Sequence, residues 1–154
     1  MTPTHFLAPY DTADKPACLG VFDSNVPVFF GAEEREEFAG FLDHLPGPYV
    51  VMRGQGGAVL GCGGYAASRH DANVAVLCWG MVDRSAQTQQ LGRSLLLHRL
   101  SRIKAEPAFH KVSIETSPES SGFFHRFGFD AVERVKDGFA PGRDMVRMLK
   151  HLQR

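Results

Sequence analysis

The stretch NVAVLCWGMV, residues 73–82, constrains this chain more than any other. Val74, Val76, Cys78 and Val82 alternate with Ala75, Leu77, Trp79 and Met81, so an extended backbone here is apolar on both faces. Such a strand has no side to offer water and must lie in the middle of a sheet with a layer packed on each face. Gly80 interrupts it near its end and marks a bulge or a close backbone approach.

The elements that would surround this strand are legible on either side of it. HFLAPY (5–10) reads as a short strand ending at Pro9, followed by a segment of moderate helical character to about Gly20. Gly31-Ala32-Glu33-Glu34 places acids in the first turn of a helix, where the dipole favours them. Phe38, Phe41, Leu42 and Leu45 continue at helical spacing until Pro46-Gly47-Pro48 stops the run. Tyr49–Met52 and Ala58–Leu60 are strand-like around the turn Gly54-Gln55-Gly56-Gly57. That turn is no dinucleotide fingerprint, because its third glycine would be Val59 and a strand follows where a helix is needed. Gly61, Gly63 and Gly64 then sit inside a strand, where they permit close approach by a ligand or a neighbouring strand. After Gly92 a helix carries Leu96, Leu100 and Ile103 on one face, with Leu95 and Leu97 widening it, and Pro107 ends the segment. HKVSIETS (110–117) is a strand, PESSGFFHRFG a short helix, and FDAVERVK with RDMVRMLKHL a final hairpin around DGFAPG. The expectation is one mixed α/β domain over residues 1–154.

Charge and cysteines narrow the classes of function. Lys plus Arg and Asp plus Glu are equal at 17 each, which gives no hint of nucleic acid or an acidic membrane as partner. No apolar run approaches the roughly 18 residues of a membrane span, and MTPTHFLAPYDTADKP lacks the apolar core of a signal peptide. Cys18, Cys62 and Cys78 have neither disulfide nor metal spacing, which fits a reducing cytoplasm. The seven histidines are scattered, so no metal site is expected.

Residues 87–100, QTQQLGRSLLLHRL, carry the strongest chemical signal. A buried strand, a polar turn and a helix start in succession make an anion site, because the first helical N–H groups lack intrahelical partners. Gly92 allows close approach to the backbone and Arg93 can pair with a phosphate. If Gln90 had to take a positive φ, it would cost about 1–2 kcal/mol. On these residues alone, an ordinary capped core helix is the plainer reading. The stretch nevertheless resembles the acyl-CoA signature (Q/R)-x-x-G-x-(G/A) of the GNAT superfamily of N-acyltransferases. Gln87 stands at its first position, Gly92 at its last, and Gln90 in place of the middle glycine. Downstream, SIETSPESSGFFHRFGF resembles the family's second landmark, N-x-x-A-x-x-F-Y-x-x-x-G-F. Ser117, Ser120, Phe123, Phe124 and Gly128-Phe129 take the places of its specified residues. The element order fits along nearly the whole chain.

The resemblance implies an α/β (α+β) fold. Its sheet would be mixed and mostly antiparallel, of about six to seven strands flanked by about four helices. The fourth and fifth strands would splay to admit the pantetheine arm of acetyl-CoA or another acyl-CoA, paired with Met81 and Val82 as an added strand would be. The pyrophosphate would rest on residues 87–93, including Gln87, Gln89, Gln90, Leu91, Gly92 and Arg93, with Ser117, Ser120 and Phe124 alongside. The activity implied is transfer of an acetyl or short acyl group to a primary amine, on a small molecule or on a protein N-terminus or lysine. Homodimers are common in the family.

The family's catalytic groups do not all carry over. Its tyrosine acid falls at Phe124, which has no proton to give, and LCWGMV holds no carboxylate. The backbone N–H of Val82 is the oxyanion candidate. Glu115 is a candidate base or a partner in an internal polar contact, and His125 is a substitute acid or base or plain surface charge. Cys78 reads as a small core residue. The remaining option is positioning plus water. Phe29 and Phe30, in the apolar connection SNVPVFF, either cap the core or wall the acceptor pocket. Tyr65, Trp79, Phe139 and Arg143 are further pocket candidates. Phe124 and Gln90 also motivate an alternative, a non-catalytic acyl-CoA-binding or sensor module on the same fold.

Overall fold

The computed structural model describes residues 5–87 and 89–153. In chain order the elements are β1 (Phe6–Pro9), α1 (Lys15–Ser24), α2 (Arg35–Asp43), β2 (Tyr49–Arg53), β3 (Val59–Ala67), β4 (Val74–Val82), α3 (Gln89–Lys104), β5 (Lys111–Thr116), α4 (Pro118–His125), β6 (Asp130–Ala140) and β7 (Arg143–His151). The strands form one seven-stranded sheet in the order β1-β2-β3-β4-β5-β7-β6. Among the described residues only the β4–β5 pair is parallel; its neighbours are antiparallel. This is the mixed, mostly antiparallel sheet with helices that the sequence leads one to expect.

β4 is central and covered on both faces, as its composition requires. On one face Ala75 and Leu77 pack with Leu96 and Ile103 of α3, Val112 and Ile114 of β5, and Phe124 of α4. On the other, Cys18, Val21 and Phe22 of α1 and Phe38 and Leu42 of α2 bury Val51, Cys62 and Met81. Simple alternation would put Met81 and Trp79 on the same face as Leu77. A β-bulge overturns that reading. Gly64 stands opposite Cys78 and Cys62 opposite Met81, so Trp79 and Gly80 together face Gly63. Trp79, not Gly80, takes the left-handed backbone, at φ 43°. The extra residue moves Trp79 and Met81 across to the α1–α2 side. There Trp79 lies 5.1 Å from the Phe38 ring and 5.9 Å from Phe30. The Tyr49 hydroxyl donates to the Trp79 carbonyl at 2.7 Å and holds the bulge in place.

Several element boundaries differ from expectation, and β6 runs on to Ala140 through most of the segment expected as the turn. α1 runs past Gly20 to Ser24. α3 starts at Gln89 rather than after Gly92, because Gln-Gln-Leu are good helix formers and open the helix themselves. Gln90 is therefore helical and is absent from the residues with positive φ, so the strain anticipated for it does not arise.

The β3 glycines serve strand-to-strand approach. A Cβ on Gly61 would lie 2.7 Å from the Met81 carbonyl oxygen, and one on Gly64 would lie 2.3 Å from the Pro48 oxygen. Gly64→Ala should therefore lose about 1–3 kcal/mol in urea unfolding, the usual cost of forcing an atom into a packed site. Gly122→Ala, on α4 where an added methyl meets nothing within 4 Å, should gain about 0.5–1 kcal/mol in the same measurement.

Candidate functional site

The parallel pairing of β4 with β5 stops almost as soon as it begins. Val74, Ala75 and Val76 face Lys111, Val112 and Ser113, and then the strands part while β4 continues to Val82 and β5 to Thr116. The gap opens a cleft of about 890 Å³ that passes between the strands. Towards α3 and α4 it is lined by Gln87, Gly92, Ser117, Ser120, Phe123 and Phe124. Towards α1 and α2 it is lined by Phe29, Phe30, Glu34, Glu37, Phe41 and Trp79. Val112 and Ile114 point into the α3 core, so alternation turns Glu115 to the α1–α2 side of the cleft.

The end of β4 offers an unpaired backbone donor to this gap. The Asp83 N–H donates to the Leu60 carbonyl at 2.7 Å, which makes Gly61 and Val82 a non-hydrogen-bonded antiparallel pair. The N–H of Val82 thus points away from β3, towards the space β5 has left. Its carbonyl points the same way and accepts from Asn25 Nδ2 and Gln87 Nε2, both at 3.0 Å. Asn25, only 2% exposed, also donates to the Val21 carbonyl at 2.9 Å and accepts from Gln87 Nε2 at 2.6 Å. The end of α1, the end of β4 and the turn before α3 are locked by one buried amide. Gln87, the first residue of the acyl-CoA signature, spends its amide on this lock.

At the α3 terminus, Gln90 is exposed, Leu91 half-buried, and Gly92 faces the Phe123 ring, 3.7 Å from where a Cβ would stand. Arg93 is exposed with its guanidinium 5.8 Å over the Phe127 ring. Gln89 opens the helix, and Thr88 lies outside the described residues. Ser117 caps α4 by accepting from the Ser120 N–H at 3.3 Å. Phe124 is buried against Phe129 and shows the cleft only ring carbon.

Several anticipated residues do meet here. Met81, Val82, Trp79, Phe29, Phe30, Phe139 and Glu115 all line the cleft. Three do not. Tyr65 lies in the α3 core, where its hydroxyl donates to Glu106 and its ring packs edge-on to Phe109. His125 is exposed at the end of α4, with Nδ1 3.2 Å from the Phe129 carbonyl oxygen and 3.8 Å from Asp130. Arg143 donates to the Pro27 carbonyl, pinning the hairpin to the loop beside the cleft. Cys78 does line the cleft, but burial pushes its thiol up and Sγ donates to the Val76 carbonyl, both of which disfavour the nucleophilic thiolate.

The sequence reading missed Asn25, Glu34, Glu37, Phe41 and Glu119, all of which line the cleft. Glu34 illustrates why. Its acid at a helix start was fully explained by capping, and it does accept from the Gly31 N–H at 2.8 Å. Burial pushes its carboxyl above the ordinary range, while that hydrogen bond and the charge of Arg143 pull it back only in part. The described residues lining the cleft include four glutamates and no lysine, arginine or histidine.

The model of the acetyltransferase (GNAT) domain matches residues 24–152, and the chain belongs to that family. It is a GNAT-family N-acetyltransferase. A GNAT-family protein from Desulfovibrio desulfuricans superposes with a TM-score of 0.81 at 21% identity, over 96% of this chain and 98% of that one. The ribosomal-protein-alanine N-acetyltransferase of Brucella melitensis gives 0.72 at 20% identity, over 96% and 99%. Ard1 from Thermoplasma volcanium gives 0.81 at 12% identity, over 99% and 100%. No curated relative matches at a significant level.

The buried amide lock makes a stability prediction of its own. Asn25→Ala should lose about 1–3 kcal/mol in urea unfolding, because buried partners are left unpaired. Asn25→Asp, nearly identical in shape, should lose more, since it sets an acceptor against the Val21 and Val82 carbonyls. Equal losses would show that the amide donates nothing there.

Proposed function

We propose that this chain moves an acetyl or short acyl group from acyl-CoA to a primary amine, by direct attack of the amine on the thioester carbonyl. The observation that carries this is the early end of the β4–β5 pairing, which leaves a donor on Val82 facing a cleft with a helix N-terminus at its mouth. A pantetheine arm would pair with Met81 and Val82 as a strand, and the Val82 N–H would meet the developing oxyanion. The free N–H groups of the first α3 turn, with Gln89, Gln90, Leu91, Gly92 and Arg93, would take the pyrophosphate. Gly92, Phe123 and Ser120 leave that approach apolar on one side and hydroxyl-bearing on the other.

The acceptor would enter from the α1–α2 side. Carboxylates drawn from Glu34, Glu37 and Glu115 attract an ammonium, and Trp79, Phe29 and Phe41 exclude water around it. The acceptor is thus a cationic amine, on a small molecule or at a protein N-terminus or lysine; the Brucella neighbour's acceptor is a ribosomal-protein alanine. With Phe124 in place of a tyrosine acid and His125 outside the cleft, positioning and solvent carry the proton transfers, and the thiolate leaves without a side-chain acid. Cys18, Cys62 and Cys78 are free thiols, which suits a reducing cytoplasm, and no helix among the described residues is long and apolar enough to cross a membrane. A homodimer follows from family habit alone.

The first test is thermal unfolding with acetyl-CoA, CoA and ATP. A hundredfold excess over Kd adds about 2.7 kcal/mol to the native state, which for a domain of this size is a rise of about 5–10 °C. Acetyl-CoA and CoA should give it and ATP should not; no rise with any of them would remove the cofactor reading. CoA release across a panel of amines then separates an enzyme from a binding module, which would stay silent throughout. Glu115→Gln should cost less than about a hundredfold in kcat, since a working general base contributes at least that much. Glu34 gains its charge only as pH rises through a value above the ordinary ~4.3. kcat/KM for a cationic amine should therefore rise across that range, and Glu34→Gln should flatten the limb, mainly through KM.

A further inference from the structure

A second cavity, of about 570 Å³, lies beside α3 over β2 and β3, away from the splayed strands. Its floor holds Arg99, on α3, which is 4% exposed. The guanidinium sits against the sheet, where a Cβ on Gly80 would come within 2.7 Å of Nη2 and one on Gly63 within 3.3 Å of Cζ. Its one protein hydrogen bond is long, from Nη1 to the Gly64 carbonyl at 3.4 Å. Nε is buried and has no partner. The ionisable groups acting on it are Tyr49, Cys78 and Cys62, none of them a carboxylate. Burial drags the guanidinium down to about 10, so it is still charged at neutral pH.

A buried cation with an orphaned donor and no anion beside it is costly, and proteins tolerate one only where something else neutralises it. The cavity that touches Arg99 is built to admit that something. His98 and Arg102, from the same helix, stand at its wall, while Tyr10, Leu45 and Pro48 provide an apolar side. A carboxylate or phosphate entering there meets Arg99 at the bottom and further positive or hydrogen-bonding groups above it. None of these residues lines the acyl-transfer cleft.

We propose that this cavity binds a small organic oxyanion, a carboxylate or phosphate carried on an apolar body, with Arg99 as its principal ligand and Arg102 and His98 as its rim. The site is separate from the acyl-CoA cleft but not isolated from it, because Gly80, against which Arg99 packs, also lines that cleft.

The test is thermal unfolding of the full chain with inorganic phosphate, sulfate and benzoate, each titrated at constant ionic strength against chloride. Phosphate and benzoate separate the two chemistries. At tenfold over Kd, a bound anion should raise Tm by about 3–6 °C, and the rise should saturate. Arg99→Met should abolish that rise while leaving Tm in chloride equal or higher, since it replaces an unpaired buried charge with an apolar side chain of similar length. Should Arg99→Met fail to fold, the pair His98→Ala with Arg102→Ala, on the more open rim, should weaken the titration at least tenfold. Arg93→Ala, at the α3 terminus, should leave it intact. The proposal is overturned if no anion exceeds chloride, if Arg99→Met keeps the rise, if the rim pair leaves the midpoint unmoved, or if Arg93→Ala removes the effect.

Discussion

The left-handed turn at Trp79 is the constraint on which the rest depends. A bulky side chain at positive φ costs on the order of 1–3 kcal/mol and persists only where its surroundings over-determine it. Here the surroundings are identifiable. The Tyr49 hydroxyl holds the Trp79 carbonyl, and the rings of Phe22, Phe30, Phe38 and Phe41 enclose the indole. Gly63 opposite leaves room for the backbone to double up. With the extra residue in place, β4 turns away from β5, its late residues change face, and the Val82 N–H is left without a strand to bond. The cleft, the backbone donor and the aromatic wall towards α1 and α2 all follow from one residue too many in one strand.

The strand ends are then fixed by polar groups rather than by packing. Asn25 is buried at the point where α1 stops, and its amide reaches Val21, Val82 and Gln87 together. The turn that leads into α3 is therefore tied to the same point as the strand that would bind the pantetheine. In an anion cradle made of backbone N–H groups, such registration matters more than the presence of a glycine. It explains how Gln90 can stand where the family signature has one: the residue is already helical, and the donors belong to the main chain.

Much of this was legible. The doubly apolar run at 73–82 announced a central strand, the hairpins and helices came from period and punctuation, and the two family signatures lay at the right separation. Phe124 at the tyrosine position was read as a missing acid, and the structure places its ring in the lining of the cleft. What escaped were residues with two sufficient explanations. Glu34 and Glu37 satisfy the electrostatics of a helix start whether or not a cleft lies beside them, so nothing in the sequence marks them as cleft residues. Arg99 is one of several basic residues towards the end of α3 in the sequence, and burial is invisible in a helix that carries arginines on more than one face. Tyr65 and His125 looked available for the opposite reason: aromatic and imidazole groups near a glycine-rich strand or a signature motif invite a role that their actual orientation denies.

The sequence by itself determined the order of elements, the need for a sheet covered on both faces and the position of the polar turn that leads into α3, because these rest on local periodicity and on backbone groups that any residue supplies. Only the tertiary structure decided which face Trp79 and Met81 occupy, which carboxylates look into the cleft and which arginine is buried without a partner. Alternation is a rule about unbroken strands, and a single bulge inverts it. Charge placement is a rule about helix ends, and it holds equally for an acid facing solvent and for one facing a substrate. Those distinctions depend on contacts between segments far apart in the chain, and local pattern does not encode them.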